Sequence, residues 1–200
     1  MFLPLVRPVA RRLVRELASG SAPVRNLQQF ESDWVGVDTG GSILDSLGPA
    51  IGDIFNIMIV GGIQYDGMPI PQGATIHKAT VLWFCAVADP PNAGDDRCSY
   101  GCEDADDGTD LSVAADFEAL VVTTAQTDVG TGDQQYKNAS VGELIAVDVT
   151  APVQEVINRG SWSPGNRLNF LIPEGTQGTP TRDIYATTQG PARVVLLLEF

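Results

Sequence analysis

Two hydrophobic periodicities divide the chain. Near the start, Val6, Val9, Ala10, Leu13 and Leu17 recur at three- and four-residue spacing on one helical face, with Arg11, Arg12 and Arg15 largely on the other. Pro8 suits the first turn of such a helix and Gly20 its stop. Further along, the pattern changes to short extended runs between turns. Strands are predicted at 54–60 (IFNIMIV), 73–87, 119–125, 144–150, 167–172 and 193–200. In the clearest, Ala79, Val81, Trp83 and Cys85 alternate with Thr80, Leu82 and Phe84, so both faces should be covered. PQG, PPNAG, GTGD, SPGN and PEGTQGTP supply turns. One helix is predicted at about 150–158, with Thr150 as cap, Pro152 in the first turn, Gly160 as stop, and Val153, Val156 and Ile157 facing inward. The pattern predicts an all-β protein: a jelly-roll-type antiparallel β-sandwich with one short helix and an N-terminal helical arm. The expected division is an anchoring arm at 1–20, a linker at 21–31 and the sandwich at 32–200.

Charge sharpens that division. The 200 residues carry a net −13, but residues 1–25 hold five arginines against one glutamate, net +4, which leaves −17 on the rest. A body this acidic repels phosphate, so nucleic acid is not an expected partner. The arm combines Phe2, Leu3, Leu5, Val6, Leu13 and Leu17 with Arg7, Arg11, Arg12 and Arg15. A lone helix of about a dozen residues is marginal in water, so it needs a surface to dock on, either its own domain or a larger assembly. It does not read as a secretory signal, because the apolar residues come first and Arg7 ends them. No apolar run is long enough to span a bilayer. Synthesis in the cytoplasm is expected.

Little in the chain points to catalysis. His77 is the single histidine, and it stands in a predicted strand without a nucleophile elbow nearby. GGIQYDG lacks the lysine of a phosphate-binding loop, and no pair of carboxylates is singled out for glycoside cleavage. The expectation is a non-enzyme. Cys85, Cys98 and Cys102 are too few for a zinc site; Cys98 and Cys102 are close enough in sequence for a bridge, or for none. The longest irregular stretch, 89–110, carries eight carboxylates and one arginine. It fails the EF-hand pattern: with Gly108 as the glycine, Ala105 and Ala114 occupy ligand positions. A less regular calcium site would use Asp104, Asp106, Asp107 and Asp110. The alternative is a solvated acidic loop. No other cofactor is implied.

The order of segments resembles the DNRLRE-type β-sandwich domains, which are related to a family of carbohydrate-binding modules. The resemblance rests on IPQGATIHKATVLWF (70–84), YGCEDADDGTDLS (100–112), VDVTAPVQEVINRGSWSPGNRLNFLI (147–172) and PARVVLLLEF (191–200). It covers roughly residues 32–200 and is most specific in the third segment. Trp162 should cover the helix end, and Gly165 and Asn166 should turn into the next strand. The resemblance implies a sandwich fold and a non-enzymatic role in secreted, surface-attached or phage-particle proteins. With the basic arm in place of a signal, it implies a bacteriophage virion structural protein. A capsid decoration (cement) protein or an accessory neck or tail component is expected, held to other virion proteins by the arm in multiple copies. The other reading is a carbohydrate-binding module for a host surface glycan, with Trp34, Tyr65, Tyr100, Tyr136 and Trp162 as candidate platforms.

Overall fold

The computed structural model describes residues 27–38, 43–45, 60–84, 98–114, 117, 119–129, 144–172 and 194–200. The chain runs through β1 (Leu27–Glu31), β2 (Trp34–Asp38), β3 (Ile43–Asp45), β4 (Val60–Tyr65), β5 (Lys78–Phe84), β6 (Cys98–Cys102), β7 (Thr127–Val129) and β8 (Leu144–Asp148). A helix, α1 (Thr150–Ile157), follows, then β9 (Leu168–Ile172) and β10 (Val195–Glu199). Among the described residues every strand pairing is antiparallel. Four strands form one sheet in the order β1-β10-β5-β8, and six form the other in the order β3-β2-β4-β9-β6-β7. Among the described residues, the expected all-β architecture of two antiparallel sheets and one short helix is the one observed. The arm at 1–20 lies outside the described residues.

Period-two alternation places the core between the sheets. Ala79 and Val81 of β5, Ile145 and Val147 of β8, and Leu196 and Leu198 of β10 meet Ile63 and Tyr65 of β4, Tyr100 and Cys102 of β6, and Leu168, Phe170 and Ile172 of β9. Tyr65 packs edge-on against Phe170, with ring centroids 5.9 Å apart. The chain changes sheets at Ser32, whose buried hydroxyl accepts from Val194 N at 2.9 Å while its own N–H donates to Val194 O. One residue later, Asp33 N donates to Gln64 O in the second sheet.

A further layer lies on the outer face of the six-stranded sheet, where Leu111 and Phe117 pack on Leu171, flanked by Ala114, Leu120 and Val122. This explains why β9 is buried at all five positions. The helix buries Pro152, Val153, Val156 and Ile157, the last three in the main core, as its apolar spacing requires. It is bound to the turn before β5 by side-chain amides. Gln154 accepts from Ile76 N at 2.7 Å and donates to Ala74 O at 2.9 Å, and Gln72 donates to Arg159 O and Gly160 O.

Several local expectations are revised. Thr150 does not cap α1; its hydroxyl donates to Asp148 Oδ1 and accepts from Ala79 N, while the same Asp148 oxygen takes the Thr150 N–H. The span read as linker contributes β1, so the sandwich includes residue 27. Of the strand expected at 54–60, residues 54–59 lie outside the description, and Val60 opens a strand that continues through Gly61 and Gly62 to Tyr65. Of 119–125 only Val122 pairs, in a single bridge with Glu103. Part of the stretch read as irregular forms β6. Cys98 and Cys102 are its two ends, about 13 Å apart in an extended strand, beyond the reach of a disulfide, and Cys102 is a buried free thiol.

Candidate functional site: an acidic loop clasped by two arginines

The acidic loop leaves β6 at Glu103, which turns inward and is buried. Its carboxylate accepts from Thr109 N at 2.8 Å, Thr109 Oγ1 at 2.6 Å and Asn169 Nδ2 at 2.7 Å. A buried carboxylate is costly unless hydrogen-bonded, and these three donors make it the hub that closes the loop. Asn169 Nδ2 also donates to Thr109 O. Gly108 lies against that amide: a Cβ there would stand 2.7 Å from Asn169 Nδ2. The glycine is needed for close packing rather than for a metal-loop turn.

Two arginines on either side of the turn after α1 hold the outer carboxylates. Arg159 donates through Nη1 to Asp104 and through Nε to Asp106 at 3.0 Å. The hydrogen bond to Asp106 and the charge of Asp104 push the guanidinium pKa still higher. Arg167 donates through Nε to Asp66 at 2.9 Å and lies 3.8 Å from Asp110, while its backbone N–H donates to Asp107 at 2.7 Å. Asn166 Nδ2 donates to Asp106 O at 2.7 Å. The Ser112 hydroxyl bonded to Asp110 holds that carboxyl below the usual aspartate range, with help from the Ser112 N–H and Arg167.

Asp104, Asp106, Asp107 and Asp110 are thus divided between two arginine neighbourhoods. Among the described residues no three histidine, cysteine or acidic side chains come together as a metal-holding group. Chemically the arrangement is a fastener that ties the loop after β6 to the turn before β9. The composition reading missed Arg159, Arg167 and the hub Glu103–Asn169. The available signal was NRGSWSPGNRLN, which places two of the seven basic residues beyond residue 25 eight positions apart around a turn.

The aromatic candidates fare differently. Tyr65, Tyr100 and Trp162 are 1%, 0% and 2% exposed, so they are core residues and not a glycan platform. Tyr65 donates its hydroxyl to Val194 O, and Trp162 Nε1 donates to Ile70 O at 2.9 Å, anchoring the expected cover over the helix end. Trp34 belongs to β2, and Tyr136 lies outside the described residues. Gly165 turns with φ +102° into β9, as expected. His77 is exposed just before β5, its N–H donating to Glu199 O. Among the described residues no helix is long and apolar enough to cross a membrane. No protein-family model and no curated protein sequence matches the chain.

Proposed function

We propose that the chain is a non-enzymatic structural component of a bacteriophage particle, a capsid decoration or neck/tail accessory protein. In this reading the N-terminal arm attaches it to other virion proteins and the acidic sandwich faces outward. The observation that carries the reading is the charge division: +4 on residues 1–25 against −17 on the rest. A strongly acidic exposed body keeps particles soluble and apart, while a basic arm finds an acidic patch.

The jelly-roll reading of the sandwich is supported by strand placement. The order β1-β10-β5-β8 facing β4-β9-β6-β7 fits two interlocked Greek keys, with β2 and β3 added beside β4. The likeness to DNRLRE-type domains stays part of the proposal. Trp162, Gly165 and Asn166, which carry much of it, have architectural jobs here. The glycan-binding alternative is weakened, because three of its five aromatic candidates are in the core.

The test is mass spectrometry of density-purified virus particles from the source culture, with copy number taken against the major capsid protein. A fixed high stoichiometry is expected for a decoration protein, and a few to a dozen copies for neck or tail. Absence from particles would overturn the reading. In a reconstitution, reversing Arg11, Arg12 and Arg15 to glutamate should abolish particle association.

A further inference from the structure

The sequence holds two Asp–Gly bonds, Asp66–Gly67 and Asp107–Gly108, and no Asn–Gly bond. At an Asp–Gly bond the chain readily attacks itself, because glycine has no side chain to keep its backbone nitrogen away from the preceding carboxyl. The glycine nitrogen bonds to the aspartate Cγ, and the amide hydrogen and the carboxyl OH leave together as one water. The product is a five-membered succinimide. Water then opens the ring at either carbonyl, which returns aspartate or gives isoaspartate, with the side-chain carbon drawn into the main chain. Nothing is oxidised or reduced.

Both bonds meet the same residue, Arg167, but through different atoms. At Asp107–Gly108 the contact is backbone. Arg167 N donates to Asp107 Oδ1 at 2.7 Å, and Gly108 N donates to Arg167 O at 3.2 Å. The attacking nitrogen and the carboxyl it would attack are thus held by the two ends of one residue. Gly108 is also buried, with no room to turn: a Cβ there would stand 2.7 Å from Asn169 Nδ2. At Asp66–Gly67 the contact is the side chain alone. Arg167 Nε donates to Asp66 Oδ1 at 2.9 Å, and Gln64 Nε2 donates to the same oxygen at 2.9 Å. Ring closure makes Cγ tetrahedral and expels an oxygen, so these two donors resist it. The resistance is slight, because the Arg167 and Asp66 side chains are 34% and 46% exposed and water screens the pair. Gly67 itself is exposed, turns with φ +60° and has nothing within 4 Å of a Cβ position. Its N–H has no hydrogen-bond partner among the described residues.

We infer that Asp66–Gly67 is a self-modification site, where the native chain converts to isoaspartate, and that Arg167 guards both Asp–Gly bonds. Its guanidinium slows the reaction at Asp66, and its backbone closes it at Asp107. The modified bond has structural consequences. Asp66 follows the last residue of β4, and its N–H donates to Asp33 Oδ2 at 2.7 Å. Two residues on, buried Met68 donates to Asn166 O and accepts from Gly165 N. One extra main-chain carbon between Tyr65 and Met68 shifts these bonds out of register and moves the carboxylate away from Arg167. The inference concerns the protein alone and does not depend on the virion reading.

The test ages the purified full chain for weeks at neutral pH and measures isoaspartate at each bond by peptide mass spectrometry, with the urea-unfolded chain as reference. Comparable rates at the two bonds are expected in urea. In the native chain isoaspartate should accumulate at Asp66, more slowly than in urea, and stay near its starting level at Asp107. Arg167→Ala, which removes the guanidinium and keeps the backbone groups, should raise the rate at Asp66 roughly two- to fivefold, the range open to one screened ion pair, and leave Asp107 unchanged. Arg159→Ala, in the same clasp but touching neither bond, should change neither rate. Equal rates at the two bonds of the native wild-type chain would overturn the inference, whether or not the variants fold. So would an Asp66 rate indifferent to Arg167→Ala, or a rise at Asp107 as large as that at Asp66.

Discussion

Gly101 and Gly62 mark the closest approaches in the six-stranded sheet. A Cβ on Gly101 would stand 2.1 Å from Val122 Cγ1, and one on Gly62 would stand 2.8 Å from the Phe117 ring. Gly101→Ala is therefore expected to cost about 1–3 kcal/mol, and adding Val122→Ala should return part of it in urea unfolding. A different failure is expected at Glu103. Glu103→Gln replaces one acceptor oxygen with a donor facing Thr109 and Asn169, an expected loss of about 2 kcal/mol at unchanged m-value. Burial pushes the Tyr65 phenol and the Cys102 thiol up, with the charges of Asp33 and Glu155 respectively adding to it. Both groups are neutral when protonated, so above about pH 9 the native state holds protons that the unfolded chain has released. Stability must then fall as pH rises. Tyr65→Phe should flatten that alkaline slope in Tm measured from pH 8 to 11, and Val194 O keeps its bond from Ser32 N.

At the scale of elements, the arginine clasp joins the loop after β6 to the turn after α1. Arg159 and its two aspartates are about one-third exposed, so water and salt screen the pairs. Arg159→Ala is expected to cost only about 0.2–1 kcal/mol, and a cycle with Asp104→Asn and Asp106→Asn should show coupling that shrinks at high salt. The strands legible in the sequence are those whose apolar residues agree with their burial, alternating in β8 and near-continuous in β5, β9 and β10. Two others, β4 and β6, carry residues that tertiary contacts require and strand propensity disfavours. In β4, Gly61, Gly62 and Gln64 interrupt the apolar run; Gly62 admits Phe117, and buried Gln64 accepts from Leu111 N at 2.7 Å. In β6, Gly101 admits Val122. Conversely, ALVVTTA has strand composition, yet it joins the sheet only through the single bridge of Val122 to Glu103, with Leu120 and Val122 packed on the Leu111, Phe117 and Leu171 cluster. The candidate site was half legible. The acidic residues were visible as a group, but their arginine partners lie more than fifty residues away in sequence, and no periodicity encodes that pairing.

For the whole molecule, the charge division yields an expectation of its own. If the arm meets an acidic surface on a particle, raising salt from 0.1 to 1 M, which shortens the Debye length from about 10 to 3 Å, should release the protein without unfolding it. Retention at 1 M salt, measured by co-sedimentation, would contradict a charge-led attachment. The pairing of β1 with β10 adds a mechanical property. Leu27 lies opposite Glu199 and Glu31 opposite Val195, so the points where force would enter through residue 26 and leave through residue 200 sit side by side. Tension between them opens the β1–β10 ladder from one end, bond after bond, like a zipper, and does not shear all its bonds at once. A sandwich tethered through its first strand and pulled at its last would thus yield first at that seam, at low force, while the sheet around β4, β9 and β6 stayed closed.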